Sequence, residues 1–139
     1  MGKIIESDRT PVLRPVGKLF DFLSDFRNFS YLMPEQVENW QATADDCTFE
    51  IRGLGSMGMR MIDRQTDLLI VMKSEGKLPF DFILSSHIVY LGENSSEIRL
   101  VMDANLNPFL EMMAKGPLQN FVNILAAKLK EVSENSPNF

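Results

Sequence analysis

Cysteine, histidine and tryptophan are almost missing from this chain, which carries one of each. A lone Cys47 has no companion for an internal disulfide, and one cysteine with one histidine falls short of a zinc ligand set, so no metal and no cofactor is expected. Basic charge is scarce as well: 14 Lys and Arg stand against 19 Asp and Glu, a formal net charge of -5. With no basic stripe anywhere, nucleic acid is not an expected partner. Nowhere does an apolar run approach the roughly 20 residues of a membrane-spanning helix, so stable membrane insertion is not expected. The first residues, Met1-Gly2-Lys3-Ile4-Ile5-Glu6, lack the apolar run of a signal peptide, and the expected location is the cytoplasm.

What is there is a globular composition, 45% hydrophobic and 24% charged, over 139 residues. A chain of this length buries about two-thirds of its unfolded surface without needing staples. No repeat, low-complexity tract or linker divides it, so residues 1–139 are expected to form one soluble domain.

Residues 3 to 10 read as a first strand. Pro15 suits the first position of a short helix carrying Val16, Leu19, Phe20 and Leu23 on one face. Asp25 is placed to cap a second short helix with Phe26, Phe29 and Met33, closed by Pro34. From Val37 the period changes to two. Cys47, Phe49 and Ile51 share one face of a strand; Met57, Met59 and Met61 share a face of the next; Leu68, Ile70 and Met72 mark a third. Phe80, Phe82, Leu84, Ser86, Ile88 and Tyr90 line one side of a longer strand, and Ile98, Leu100, Met102 and Ala104 one side of the last. Connections this short make neighbouring strands antiparallel, a meander. Asn107 and Pro108 open a long terminal helix whose apolar stripe is Leu118, Phe121, Val122, Leu125, Leu129 and Val132. Gly116-Pro117 inside it predicts a kink or break, and fraying is expected from Glu134 to Phe139.

The sequence thus predicts an α+β fold: a curved antiparallel sheet of about seven strands around a long C-terminal helix, with two short helices after the first strand. That order, together with Leu19-Phe20-Asp21-Phe22-Leu23-Ser24-Asp25, Asn28 and Pro34, resembles the START-like superfamily, also called Bet v 1-like, SRPBCC or helix-grip. Gly116-Pro117-Leu118 is similar to the same stretch in bacterial polyketide cyclase/dehydrase and coenzyme Q-binding-like proteins. The resemblance covers nearly the whole chain. It implies a cavity between sheet and helix, used in the superfamily for lipids, sterols, quinones, polyketides and plant hormones; a minority of members are enzymes or bind proteins.

Few residues carry chemistry of their own. Gly53-Leu54-Gly55-Ser56-Met57-Gly58 spells a dinucleotide fingerprint, but Met57 to Asp63 alternate as a strand where that motif needs a helix, so a glycine-rich hairpin accounts for it. His87 shares a strand face with Asp81, Ile83, Ser85 and Val89, opposite the apolar series, with no carboxylate or nucleophile within reach along the strand. Cys47 alternates with Phe49 and Ile51 and packs as a small hydrophobe. Asp103 and Glu6 are strand carboxylates expected in solvent. No catalytic residue is assigned.

Eight methionines beyond Met1 are the distinctive side chains, since Met fills irregular apolar space and adapts to varied shapes. With the implied cavity, they make Phe49, Ile51, Met59, Met61, Phe80, Phe82, Leu84, Leu100, Met102, Phe109, Met112 and Met113 the candidate ligand-lining residues. The expected function is non-catalytic binding or transport of a small hydrophobic molecule such as a lipid, quinone or polyketide. A cyclase- or hydratase-type enzyme would instead need an acid or base such as His87 or Asp103 inside the cavity. An interaction module would need an exposed apolar patch for a protein partner, whose identity the sequence does not specify.

Overall fold

The computed structural model describes residues 2–76 and 80–136. Six strands form the meander: β3 (Val37–Ala42), β4 (Asp46–Ile51), β5 (Gly55–Gln65), β6 (Leu69–Ser74), β7 (Phe82–Gly92) and β8 (Ser95–Ala104). Every pairing among them is antiparallel and sequential, as their short connections require. The predicted first strand is two pieces, β1 (Lys3–Glu6) and β2 (Thr10–Val12), both on the free edge of β8. Among the described residues the sheet therefore has eight strands, in keeping with the expected number of about seven, in the order β1-β8-β7-β6-β5-β4-β3, with β2 continuing β1 along β8.

The split falls at Ser7, a buried residue. Its Oγ accepts from Leu100 N at 2.9 Å and donates to Asp8 O at 3.0 Å, so a side chain replaces the missing ladder bond. Pro11 is tolerated inside β2 because that strand lies at the edge of the sheet.

Between β2 and β3 lie α1 (Val16–Leu23) and a 3-10 helix (Phe26–Tyr31). Pro15 caps α1 rather than opening it: its ψ of 152° is extended, one residue before the expected position. Asp25 caps the 3-10 helix as predicted, accepting from Arg27 N at 2.9 Å. That helix ends before Leu32, ahead of the expected stop at Pro34.

Helix α2 (Pro108–Asn135) is the longest element. Asn107 caps it, accepting from Leu110 N at 2.8 Å, with Glu111 in the first turn where the helix dipole favours negative charge. It packs beside β1, β2 and β8. The break expected at Gly116-Pro117 does not occur, and the helix is continuous through it. Both residues are exposed, so the carbonyl that Pro117 cannot satisfy lies on the side where water replaces the donor. Glu134 and Asn135 are still helical where fraying was expected, and residues 137–139 lie outside the described chain. Arg14 holds this end, donating through Nε to Ser133 O at 2.7 Å and through Nη2 to Ser136 O at 2.9 Å.

Inward-facing residues meet in one core cluster. The predicted alternation holds for Cys47, Phe49 and Ile51, for Met57, Met59 and Met61, and for Ile98, Leu100, Met102 and Ala104, all of them buried. Leu68 and Tyr90 depart from it and are exposed. Leu68 lies in the turn joining β5 to β6, and Tyr90 lies near the end of β7.

Candidate ligand-binding site

The space between helix and sheet is almost full. A series of aromatic contacts crosses it: Phe26 and Phe29 meet edge to face at 5.2 Å, Phe29 stacks on Trp40 at 6.3 Å, Trp40 meets Phe49 at 5.1 Å, and Phe49 stacks on Phe121 at 6.3 Å with planes 5° apart. Together these rings join the 3-10 helix, β3, β4 and α2. Trp40 Nε1 donates to Phe26 O at 3.3 Å, giving its polar edge a partner.

Among the described residues a void of about 10 Å³ is lined by Leu23 of α1, Phe29 and Leu32 of the 3-10 turn, Leu84 and Ser86 of β7, Leu100 of β8, and Leu125 and Leu129 of α2. That is room for about one water molecule. A surface cleft of about 600 Å³ opens between the two short helices and the end of α2, lined by Lys18, Asp21, Phe22, Asn28, Tyr31, Val132 and Ser136. Cleft and void adjoin through the chain itself. Phe22 precedes Leu23, Asn28 precedes Phe29, Tyr31 precedes Leu32, and Val132 follows Leu129 by one helical turn. Phe22 and Val132, which line the cleft, are half-buried against the core.

Of the twelve candidate lining residues, Leu84 and Leu100 border the void. Phe49, Ile51, Met59, Met61, Phe80, Phe82 and Met102 are also buried, within the packed core around it. Phe109, Met112 and Met113 do not face inward; they are exposed, Met112 by 86%. The reason is helical phase. Leu110, Ala114 and Leu118, four residues apart, turn toward the sheet, which leaves Phe109, Met112 and Met113 on the outer side of the same turns. A groove of about 710 Å³ along Pro108, Glu111, Met112, Lys115, Gly116 and Gln119 lies on that outer side.

The ionisable candidates lie elsewhere. His87 is on the opposite face of β7 from Leu84 and Ser86, paired with Arg99 across β8. Burial lowers its pKa below the ordinary 6.5, Arg99 lowers it further, and Glu6 opposes both. Glu6 is held by Arg99 Nη1 at 2.8 Å, and Asp103 is exposed. Burial pushes the Cys47 thiol up to about 12, the environment of an inert packed side chain. Gly53, with φ of 90°, lies in the turn between β4 and β5, and Gly55, with φ of 104°, opens β5, so the glycine-rich motif is a hairpin with no helix after it. Among the described residues no group of three or more His, Cys, Asp or Glu could hold a metal ion, and no helix is long and apolar enough to cross a membrane.

The depressed His87 pKa has a consequence for stability. On acidification the unfolded chain takes up this proton before the folded one, so the contribution is complete above about 6.5 and is lost as pH falls toward the lower folded value. The urea midpoint is expected to drop between pH 7.5 and 5, by less in His87→Gln. An identical profile in that variant would assign the drop to other groups.

Comparison with solved structures gives the architecture its place. A START superfamily protein from Mycobacterium smegmatis superposes with a TM-score of 0.69 at 12% identity, over 93% of this chain and 98% of that one. Norcoclaurine synthase from Thalictrum flavum gives 0.74 at 13% identity, over 98% and 88%. The chain has the START-like fold. The same synthase in complex with dopamine and hydroxybenzaldehyde gives 0.70 at 13%, over 98% and 89%. No family model matches the sequence, and no curated protein matches it.

The void draws on Leu23, Phe29, Leu125 and Leu129, which sequence reasoning placed on apolar helix faces without singling them out, and on Leu32, which it did not name. Their apolar periodicity was visible, but it marks every core position alike. Ser86 carried a more specific signal, a hydroxyl flanked by Phe82, Leu84 and Ile88 on the same strand face.

Proposed function

We propose that this protein binds a small hydrophobic molecule in the interior between α2 and the sheet, taken up through the cleft beside the short helices. The observation that carries this reading is an open cleft and an apolar void lined by neighbouring residues of the same two short helices and α2, with Phe22 and Val132 of the cleft packed against the core. A ligand larger than water has to displace core side chains. The lining suits such displacement, because it draws on five separate elements and the core beside it contains Met57, Met59, Met61, Met72 and Met102, whose unbranched chains repack easily. Binding energy would come from apolar ligand surface leaving water, at roughly 25 cal/mol per Å². Phe49, Ile51, Met59, Met61, Phe80, Phe82 and Met102 would supply the wall into which a bound molecule extends.

The void lining, one hydroxyl among seven hydrocarbon side chains, favours binding over acid–base chemistry. It is also the feature that ranks this reading above a cyclase or hydratase, even though the fold neighbours include an enzyme. On this reading the chain works as one domain in the cytoplasm, where a single buried thiol needs no partner.

Native mass spectrometry of gently purified protein is expected to show a bound hydrophobic molecule or, after delipidation, uptake of N-phenyl-1-naphthylamine at one per chain. Neither co-purifying ligand nor probe uptake would overturn the reading.

A further inference from the structure

Among the described residues five serines are buried: Ser7, Ser74, Ser86, Ser96 and Ser133. Four of them have work for their hydroxyls. Ser7 Oγ bridges Leu100 N and Asp8 O, and Ser74 Oγ accepts from Phe82 N at 2.9 Å. Ser96 Oγ donates to Arg14 O at 2.6 Å, and Ser133 Oγ donates to Lys130 O at 3.1 Å. Ser86 is the exception. It is 1% exposed, and its Oγ has no hydrogen-bond partner among the described residues. It is also the single polar residue bordering the void.

A buried hydroxyl left without a partner is unfavourable, and native interiors rarely keep one without a reason. Bonds to main-chain groups, which account for the other buried serines, are not made by Ser86 in the middle of β7, where it stands opposite Leu100 with the strand bonds intact. A water in the void would find one polar side chain where it needs two to four partners.

Resting on the binding reading above, we propose that Ser86 Oγ is the orienting contact for the ligand, and that the ligand carries one uncharged oxygen, a hydroxyl or carbonyl, at its buried end. A serine hydroxyl serves either, donating to a carbonyl or exchanging donor and acceptor roles with a hydroxyl. The absence of charge follows from what faces the void. The side chains around Ser86 are Leu23, Phe29, Leu32, Leu84, Leu100, Leu125 and Leu129, and none of them can neutralise a carboxylate or an ammonium. His87, Arg99 and Glu6, the nearest ionisable residues in the ladder, belong to the opposite face of the sheet. A ligand with an acidic or cationic buried end would be rejected by desolvation, and one with no polar atom would leave the hydroxyl as unsatisfied as before.

The test uses two probes of nearly equal shape, 2-naphthol and 2-methylnaphthalene, titrated into wild type and Ser86→Ala with NMR and fluorescence readouts. Wild type is expected to bind both. Ser86→Ala is expected to lose about 3–10-fold in affinity for 2-naphthol, the worth of one neutral hydrogen bond, and to hold 2-methylnaphthalene at least as tightly as before. A merely structural role for Ser86 would shift both probes together. Equal changes for the two, or none for either, would overturn the Ser86 assignment while leaving interior binding intact. Failure of wild type to bind either probe would overturn both readings. Thermal unfolding of Ser86→Ala, expected at or above the wild-type midpoint because the orphan hydroxyl is gone, establishes that the variant is folded.

Discussion

Phe121→Ala is expected to lower the stability of this protein by about 3–5 kcal/mol, the range for removing a large aromatic side chain from a packed core. Against a typical total of about 5–15 kcal/mol, that brings the chain near the edge of folding. Phe121 is buried on the inward stripe of α2, and its ring lies parallel to Phe49 at 6.3 Å. It is the point where the helix joins the aromatic series that runs back through Trp40 to the 3-10 helix. Urea titration followed by Trp40 fluorescence measures the loss. A double-mutant cycle with Phe49→Ala isolates the stack, for which a coupling of about 0.5–1.5 kcal/mol is expected. Strict additivity of the two substitutions would mean that the rings do not interact in solution.

Leu129→Ala is expected to have the second largest effect, about 2–5 kcal/mol of destabilisation, with a gain of function attached. Alanine is the best helix former, so the backbone of α2 is not disturbed and the loss reflects side-chain contacts alone. Leu129 is buried, borders the void, and sits one turn before Val132 of the cleft. Its truncation enlarges a space that now holds about 10 Å³ into one that admits a small apolar molecule. Saturating benzene should then raise the unfolding midpoint of the variant by linkage, and raise that of wild type much less. A variant whose midpoint ignores benzene would show that its neighbours have closed over the gap, and that the interior collapses where it was expected to open.

These two residues also show how far the sequence could be read. Both belong to the stripe Leu118, Phe121, Val122, Leu125, Leu129, whose spacing alone marks one face of a helix. The identity of their partners was out of reach. Phe49 is more than 70 positions away along the chain, and nothing in the alternation of β4 tells which helix residue its ring will meet. The same gap separates the methionines from the void. Met57, Met59 and Met61 were correctly placed on one inner face, but periodicity cannot tell a residue that lines empty space from one that fills it.

Local chemistry was enough for the element order, the change from helical to alternating period at Val37, the antiparallel meander and the Asn107 cap, because each follows from contacts between residues close in sequence. It was not enough for the split of the first strand at Ser7, which depends on a hydrogen bond to Leu100 across the sheet. Nor could it set the phase of the first turns of α2, where Phe109, Met112 and Met113 are as apolar as Leu110 but point away from the sheet. The void, and the unpartnered hydroxyl of Ser86 beside it, were decided by tertiary packing alone. Whether a buried polar atom finds a partner depends on every element that closes around it, and for Ser86 those elements come from both ends of the chain.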